Sequence, residues 1–235
     1  MIIIDGMASP PTRSRIPAVL LESRWLSAVE FLIGAAIVVG HNVLKVVPNE
    51  VPILFVLGLV SLRLRDGGWA AMGLARPASW RRTVLVAVAA AALRIVLGSL
   101  VIEPITGHFW PPIVGPAGIS TVSGNASSAL KWLLIVWTFA AFGEEISYRG
   151  YLLTRAADLG RRSTAATWVA IVAVSILFGI GHWFKGPAGV VDSGFAGLVL
   201  GCAFMASRRN LWACILAHGF IDTVSVVALF FGWAS

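Results

Sequence analysis

Polar side chains that can act on a water molecule occur in three short motifs, each inside an otherwise apolar segment of the second half of the chain. The residues are Glu144, Glu145, Arg149, Phe178, His182, His218 and Asp222. Carboxylates and imidazoles are the usual general acids and bases. If these groups converge in a dry pocket, they could activate a water and stabilise the oxyanion that forms when it attacks a peptide carbonyl.

The first motif, Glu144-Glu145-xxx-Arg149, predicts different roles for its two adjacent carboxylates. On an α-helix these side chains point about 100° apart, so they cannot face the same partner. Glu145 and Arg149 are spaced i, i+4 with the acid first, which favours an ion pair along one helix face. We therefore expect Glu145 to be a structural pair member and Glu144 to be the reactive carboxylate.

The second motif, Phe178-xxx-His182, places an aromatic ring and an imidazole one helical turn apart on the same face. Gly179 and Gly181 between them allow another backbone to approach closely. We expect Phe178 to have a packing role and His182 to face a cavity.

The third motif, His218-xxx-Asp222, repeats this spacing with a carboxylate. Asp222 can accept a proton from one ring nitrogen and so orient the other nitrogen into a cavity. An ionisable side chain inside a bilayer costs at least a few kcal/mol, so these groups are candidate functional residues by default.

The sequence around these motifs is that of a membrane protein. Of the 235 residues 58% are hydrophobic and only 12% are charged, and the mean hydropathy is +0.86. A water-soluble globule could not bury this much apolar surface. We predict an all-α fold, a polytopic transmembrane helical bundle of about seven (six to eight) spans with an intramembrane cavity. The expected spans are residues 25–47, 49–63, 83–102, 129–149, 164–184, 189–206 and 210–232.

These spans leave no room for a separate soluble domain, so residues 1–235 are expected to form a single integral membrane domain. Residues 1–24 would be a cytoplasmic segment without a cleavable signal peptide, and residues 129–232 would be the motif-bearing catalytic half. The segment at 49–63 is short and begins among prolines, so we expect it to be either re-entrant or tilted.

The basic residues predict the orientation of the bundle. If the spans alternate and the N-terminus is cytoplasmic, only Lys45, Lys131 and Lys185 fall outside, and Arg94 falls within a span. The arginines at the inner side are Arg13, Arg15, Arg24, Arg63, Arg65, Arg76, Arg81, Arg82, Arg149, Arg155, Arg161, Arg162, Arg208 and Arg209. This bias follows the positive-inside rule. We therefore expect the N-terminus in the cytoplasm and the C-terminus outside. The Ala- and Arg-rich composition is typical of bacteria, so the expected location is a bacterial inner (plasma) membrane.

Several remaining features favour structural roles. The net charge of +7 is spread over short clusters and forms no single stripe, so nucleic acid is not an expected partner. The connection from Glu103 to Ser128 is either a lid or a loop. Gly197 and Gly201 predict a close helix contact. Four further polar groups are expected to form ion pairs or to snorkel towards the head groups: Glu30, His41, Asn42 and Arg94.

The three motifs, in this order on separate hydrophobic helices, resemble the CAAX-protease and bacteriocin-processing (CPBP, or Abi) family of intramembrane glutamic endopeptidases. The resemblance covers roughly residues 129–232. It implies that Glu144 and His182 activate the hydrolytic water and that His218 and Asp222 stabilise the oxyanion, with no cofactor. It also implies a cavity that opens towards the cytosol and the membrane. The implied partners are membrane lipid and a substrate, which is a membrane-associated or prenylated-type peptide or protein.

Asp222 departs from the simplest form of the family motif, whose last position is Asn or Asp. An aspartate donates to an oxyanion only when it is protonated. Either burial keeps Asp222 neutral, or it stays ionised and holds His218 as the donor. We favour the second interpretation.

Other functions remain open at this point. A zinc protease could use Glu144, His182 and His218 as three ligands with an open fourth position, although the compact HExxH motif is missing. A non-enzymatic membrane partner, an immunity protein or a proton-coupled transporter could also keep such residues. The complete set of three motifs favours the enzyme. In a bacterium, peptide maturation and abortive-infection defence are equally open as its biological role.

Overall fold

The structure, a computed structural model, describes residues 23–110 and 122–233. In these two ranges the chain forms 7 helices and no strand. The helices are α1 (Arg24–Asn42), α2 (Glu50–Arg65), α3 (Trp80–Phe109), α4 (Ala126–Asp158), α5 (Thr164–Ile180), α6 (Gly186–Ala206) and α7 (Leu211–Phe230). The predicted all-α polytopic bundle is therefore confirmed.

The predicted spans agree with these helices in number and order. Within the described residues 5 helical segments are long and apolar enough to cross a membrane, and α5 is a shorter apolar helix. The 16-residue helix α2, the segment predicted to be re-entrant or tilted, is not among them. The loop or lid predicted between Glu103 and Ser128 falls largely on residues 111–121, outside the described ranges.

Most helices begin where the sequence supplies a side-chain cap. At six helix starts the oxygen of a Ser or Asn side chain accepts a backbone N–H from the first turn, which satisfies one of the donors that a helix start leaves free. These caps are Ser23, Asn49, Ser79, Asn125, Ser163 and Asn210. The caps lie at both ends of the bundle and fix where the chain enters these six helices.

Helix α4 is longer than predicted, running from Ala126 to Asp158. The predicted end at Arg149 was wrong because this arginine lies inside the bundle, with only 1% of its side chain exposed. Two π-helical stretches, Val136–Glu144 and Ile146–Leu152, lie on either side of Glu145. A π turn is wider than an α turn, so the angle between the two glutamates is smaller than about 100°. Such stretches occur often at functional sites.

Helices α5 and α6 pack closely against each other through glycines. A Cβ atom added at Gly179 would lie 2.5 Å from the carbonyl oxygen of Val190, and one at Gly197 would lie 3.0 Å from the Cα of Ser175. A Cβ added at Gly201 would likewise overlap the side chain of Ile171. The close helix contacts predicted at Gly179 and at Gly197 and Gly201 are confirmed. They hold the connection between α5 and α6, which carries His182, against the rest of the bundle.

A buried ion network ties the C-terminal end of α4 to α1 and α2. Its members are Glu30, Arg65, Asp66, Arg155, Asp158 and Arg162. Arg155 lies at its centre, with contacts of 2.8 Å to Glu30 and Asp66 and 2.9 Å to Asp158. Glu30 therefore forms the ion pair that was one of its two predicted roles. Its partners are Arg65 and Arg155, which were expected only to set the orientation in the membrane.

Candidate active site

The structure brings the three motifs together around one cavity of about 180 Å³. Glu144 comes from α4, Phe178 from α5, His182 from the connection after α5, and His218 and Asp222 from α7. All five line the cavity. The other two motif residues, Glu145 and Arg149, are fully buried behind it.

Glu145 is the centre of the hydrogen bonding in this site. Its Oε1 accepts a hydrogen bond of 2.9 Å from Arg149 Nη1, so the predicted i, i+4 ion pair is confirmed. The same oxygen also accepts one of 2.7 Å from His218 Nδ1. This second contact was not predicted, because the spacing within one helix says nothing about a partner 73 residues away. Glu145 therefore holds both the arginine and the histidine.

His218 lies between two carboxylates. Its Nδ1 faces Glu145, and its Nε2 lies 3.5 Å from Asp222 Oδ2. The predicted i, i+4 contact with Asp222 is present, but it is longer than the contact with Glu145. The Asp222 side chain is also 31% exposed, whereas that of Glu145 is 0% exposed. The orientation of the His218 ring is therefore fixed mainly by Glu145.

His182 has an orienting partner that was not foreseen. Its Nδ1 lies 2.9 Å from the carbonyl oxygen of Phe178, one turn earlier in the chain. Because a carbonyl oxygen can only accept, this contact places a proton on Nδ1. The Nε2 of a neutral His182 then has a free lone pair that can accept a hydrogen bond from a water in the cavity.

The Phe178 ring forms a wall shared by all three motifs. Its centroid lies 4.8 Å from the His182 ring, 6.0 Å from the His218 ring and 4.1 Å from Arg149 Cζ. The last contact has cation–π geometry. The packing role predicted for Phe178 is confirmed, and the ring sets the spacing between the two imidazoles.

Glu144 differs from its neighbour in having few partners. It is half-buried, and its Oε2 is buried without a hydrogen-bond partner among the described residues. A buried carboxylate oxygen without a donor is costly in a structural role. The two adjacent glutamates thus lie in different surroundings, as the motif predicted: Glu145 is held by other side chains, and Glu144 faces the cavity.

A charged pair outside the motifs lines the same cavity. Arg94 Nη2 lies 2.7 and 2.6 Å from the two oxygens of Asp192, so the ion pair predicted as one option for Arg94 is confirmed. Asp192 and Lys185 were not predicted to line the cavity. A clear signal for Asp192 was available, since it is an acid near the start of an apolar span.

A larger, mainly apolar cavity of about 700 Å³ adjoins the site and shares Lys185, Asp192 and Asp222 with it. It lies at the end of the bundle where α3 ends and α4 begins. The connections that carry most arginines are at the opposite end. If the spans alternate, the two ends of the bundle face opposite sides of the membrane. A cytoplasmic N-terminus then puts the end with the larger cavity on the outer side. The expected cytoplasmic N-terminus and the expected opening to the cytosol therefore cannot both be correct.

Among the described residues, no three or more His, Cys, Asp or Glu side chains are grouped so that they could hold a metal ion. Glu144, His182 and His218 border one cavity without forming such a group.

A protein-family model described as type II CAAX prenyl endopeptidase Rce1-like matches residues 126–224. The matched segment contains all three motifs, and the resemblance identified from them is confirmed over this segment. Comparisons with curated proteins and with solved structures gave no significant match.

Proposed function

We propose that this integral membrane protein is a CAAX-type intramembrane endopeptidase that hydrolyses its substrate with a water activated by Glu144 and His182. The observation that carries this proposal is the convergence of Glu144, His182 and His218, from three separate parts of the chain, on one cavity inside an apolar bundle. The family match over residues 126–224 supports the same reaction class.

In the proposed reaction, Glu144 accepts a proton from the water as the water oxygen bonds to the peptide carbonyl carbon. His182 Nε2 accepts a hydrogen bond from the same water and aligns it, because its Nδ1 is held by Phe178. The carbonyl oxygen becomes an oxyanion, and a donor placed at that point lowers the barrier. When the C–N bond breaks, the proton on Glu144 passes to the leaving amine.

The oxyanion donor in this scheme is His218. Glu145 and Asp222 face its two ring nitrogens, so the ring can carry a proton on each and donate from Nε2 once it turns from Asp222. The 3.5 Å contact with Asp222 is loose enough to be exchanged for the oxyanion. Asp222 then balances the charge of the ring without having to donate a proton itself.

Two matched substitutions test these roles. Glu144→Gln keeps the shape but cannot accept the proton, so we expect cleavage to fall by about 100-fold or more while the melting temperature stays unchanged. Glu145→Gln removes the negative charge shared by Arg149 and His218 and leaves Arg149 without its charged partner, so we expect a lower melting temperature as well as lower activity. If Glu145→Gln alone were folded and inactive while Glu144→Gln stayed active, the two roles would be reversed.

We further propose that the reaction needs no metal. Protein purified in detergent and treated with a chelator should keep its activity towards a prenylated peptide and contain no stoichiometric zinc. Loss of activity in chelator, restored by added zinc, would instead support a metalloprotease that uses Glu144, His182 and His218 as ligands.

The orientation in the membrane is also a proposal, based on the arginine-rich connections at one end of the bundle. With the N-terminus in the cytoplasm of a bacterial host, an alkaline-phosphatase fusion after Ser235 should be active. An inactive fusion would place the C-terminus in the cytoplasm and contradict either the orientation or the number of spans.

A further inference from the structure

A second polar cavity, of about 460 Å³, lies at the arginine-rich end of the bundle. Its wall is formed by the start of α1, the end of α2, and the end of α4 with the loop that follows it. The lining residues, called here the arginine pocket, are Arg24, Ser27, Arg65, Asp66, Arg155, Asp158, Arg161 and Arg162. The pocket shares no lining residue with the active-site cavity, and the proposed hydrolysis uses none of its side chains.

Positive charge is in excess in the arginine pocket. Five guanidinium groups line it, against the carboxylates of Asp66 and Asp158. A third carboxylate, Glu30, is not part of the lining but pairs with Arg65 and Arg155. Even with all three acids counted, two positive charges remain unbalanced among the described residues. A concave site with such an excess attracts anions.

The unbalanced charges belong to Arg24 and Arg161. Both side chains are exposed, and neither forms an ion pair with a described residue. Arg162 adds a further donor: its Nε and Nη2 bind Asp158 and Asp66, and its Nη1 has no partner among the described residues. A guanidinium presents its donors in a planar fork that matches the oxygens of a phosphate group. The mouth of the pocket therefore offers several such donors to an anion.

The loop after α4 holds its two arginines through the backbone. Arg161 and Arg162 have φ angles of +56° and +52°, a conformation that residues other than glycine seldom adopt. Their backbone N–H groups donate to the carbonyl oxygens of Asp158 and Ala157, at 3.0 and 2.8 Å. Arg209 Nη1 donates to the carbonyl oxygen of Arg162 at 2.9 Å. Because the backbone fixes the loop, Arg161 needs no side-chain partner to stay beside the pocket.

The start of α1 adds a further attraction for an anion. Arg24 is the first residue of this 19-residue helix, and Ser27 lines the pocket about one turn later. Backbone N–H groups in a first turn have no partner within the helix, and the helix dipole adds partial positive charge there. The Ser23 side chain accepts one of these groups, from Leu26. An anion in the pocket is therefore favoured by a helix start as well as by the arginines.

The residues beside the pocket indicate that the anion comes from the membrane. On each of the three helices an exposed apolar side chain directly adjoins a lining residue: Trp25 on α1, Leu64 on α2 and Leu159 after α4. Trp25 is 84% exposed, and tryptophan rings prefer the head-group region of a bilayer. The pocket thus lies at the level of the lipid phosphates.

We propose that the arginine pocket binds the phosphate group of an anionic membrane lipid. A phosphate monoester is the best match, because it carries about two negative charges and three strong acceptor oxygens. Those charges balance the excess of the pocket, and the acyl chains can leave past Trp25 and Leu159. The inference is independent of the proposed peptidase function, since a protein that hydrolysed nothing could still bind such a lipid.

The test measures lipid binding to the full-length protein in a neutral detergent by native mass spectrometry. The probe is dioctanoyl phosphatidic acid, a phosphate monoester. Dioctanoyl phosphatidylcholine has the same acyl chains but no net charge, and serves as the comparison lipid. We expect the Kd of the phosphatidic acid to be lower by about tenfold or more, because it alone places a fully charged phosphate among the guanidinium groups.

The decisive variant is Arg24→Gln with Arg161→Gln, which removes the two charges that have no ion pair and should leave the melting temperature unchanged. Its Kd for phosphatidic acid should rise by about tenfold or more. The matched control is Arg76→Gln with Arg81→Gln. These two exposed arginines lie at the same end of the bundle but do not line the pocket, so the net charge changes equally. The control should keep its Kd within about twofold, because salt screens distant charges.

Three results would overturn the proposal. Equal Kd values for the two lipids would mean that apolar contacts alone bind them, and an equal rise in both double variants would mean that net charge alone does. Inorganic phosphate that displaced the phosphatidic acid at the same concentration would overturn the lipid as the source and identify a soluble phosphate as the ligand. If the pocket variant does not fold, Arg161→Gln alone decides: it should raise the Kd about threefold or more, and an unchanged Kd would overturn the site.

Discussion

The ion network and the active-site cavity both bury charges inside the same apolar bundle, but they use them in opposite ways. In the network, Arg155 is 1% exposed and directs Nε, Nη1 and Nη2 at three different acids. At the cavity and directly behind it, four buried polar atoms have no hydrogen-bond partner among the described residues: Glu144 Oε2, Glu145 Oε2, Arg149 Nη2 and Arg94 Nε. A fully paired charge such as Arg155 stabilises the fold, whereas a carboxylate with a spare hydrogen-bonding position, such as Glu144, is available to a ligand.

The largest expected effect on stability comes from a substitution in the ion network. Arg155→Gln removes a buried cation and leaves Glu30, Asp66 and Asp158 close together, so we expect the free energy of unfolding to fall by about 3–5 kcal/mol. Thermal unfolding in detergent measures this loss. Activity per folded molecule should change little, because Arg155 does not line the cavity.

Arg82→Gln is the control for this prediction. Arg82 is an exposed arginine that donates to the carbonyl oxygen of Ala206, and such a surface contact contributes less than about 1 kcal/mol. If Arg155→Gln melted at the same temperature as the original protein, the network would have no stabilising role. The contrast between the two regions would then be wrong for the ion network, because its paired charges would not stabilise the fold.

An intermediate effect is expected beside the cavity, at the contact between α5 and α6. A Cβ at Gly179 would lie 2.5 Å from the backbone oxygen of Val190, which cannot move independently. Gly179→Ala should therefore push the helices apart, destabilise the protein by about 1–3 kcal/mol and lower activity through displacement of His182.

The matched control is Gly194→Ala on the facing helix, where the added Cβ would lie 3.5 Å from Ser175 O, an ordinary contact. We expect this variant to keep its melting temperature and activity. Equal loss in both alanine variants would mean that the position of His182 does not depend on the close approach at Gly179.

The smallest expected effect lies within the site. Asp222→Asn should lower kcat by no more than about tenfold, because Glu145 already orients His218 and an asparagine can itself donate to the oxyanion. The assay is the cleavage of a prenylated peptide. A loss as large as that of Glu144→Gln would instead mean that the negative charge of Asp222 is essential to the reaction.

The helix order and the motif residues could be predicted from the sequence because both depend on local patterns. Apolar length predicted the spans, and the i, i+4 spacing predicted the contacts of Glu145 with Arg149 and of His218 with Asp222. These contacts lie within one helix, so no knowledge of the packing was needed.

The contacts between helices could not be predicted in this way. The bond from His218 to Glu145 joins α7 to α4, and the pair of Arg94 with Asp192 joins α3 to α6. The end of α4 was misplaced for the same reason: Arg149 resembles a residue at a membrane boundary until Glu145 and Phe178 are seen around it. Partners from distant parts of the chain determine whether a charge lies in a loop or in the interior.

The length of α5 has a consequence for the supply of water. Its 17 residues span roughly 26 Å, less than the roughly 30 Å of hydrocarbon in a typical bilayer. Exposed Trp183 and Phe184 follow directly after His182, and such rings prefer the lipid head-group region. The bilayer beside this short helix must thin to match it, which brings hydrated head groups close to the His182 imidazole. Hydrolysis should therefore slow down in vesicles made of longer-chain lipids, in which the path for water is longer.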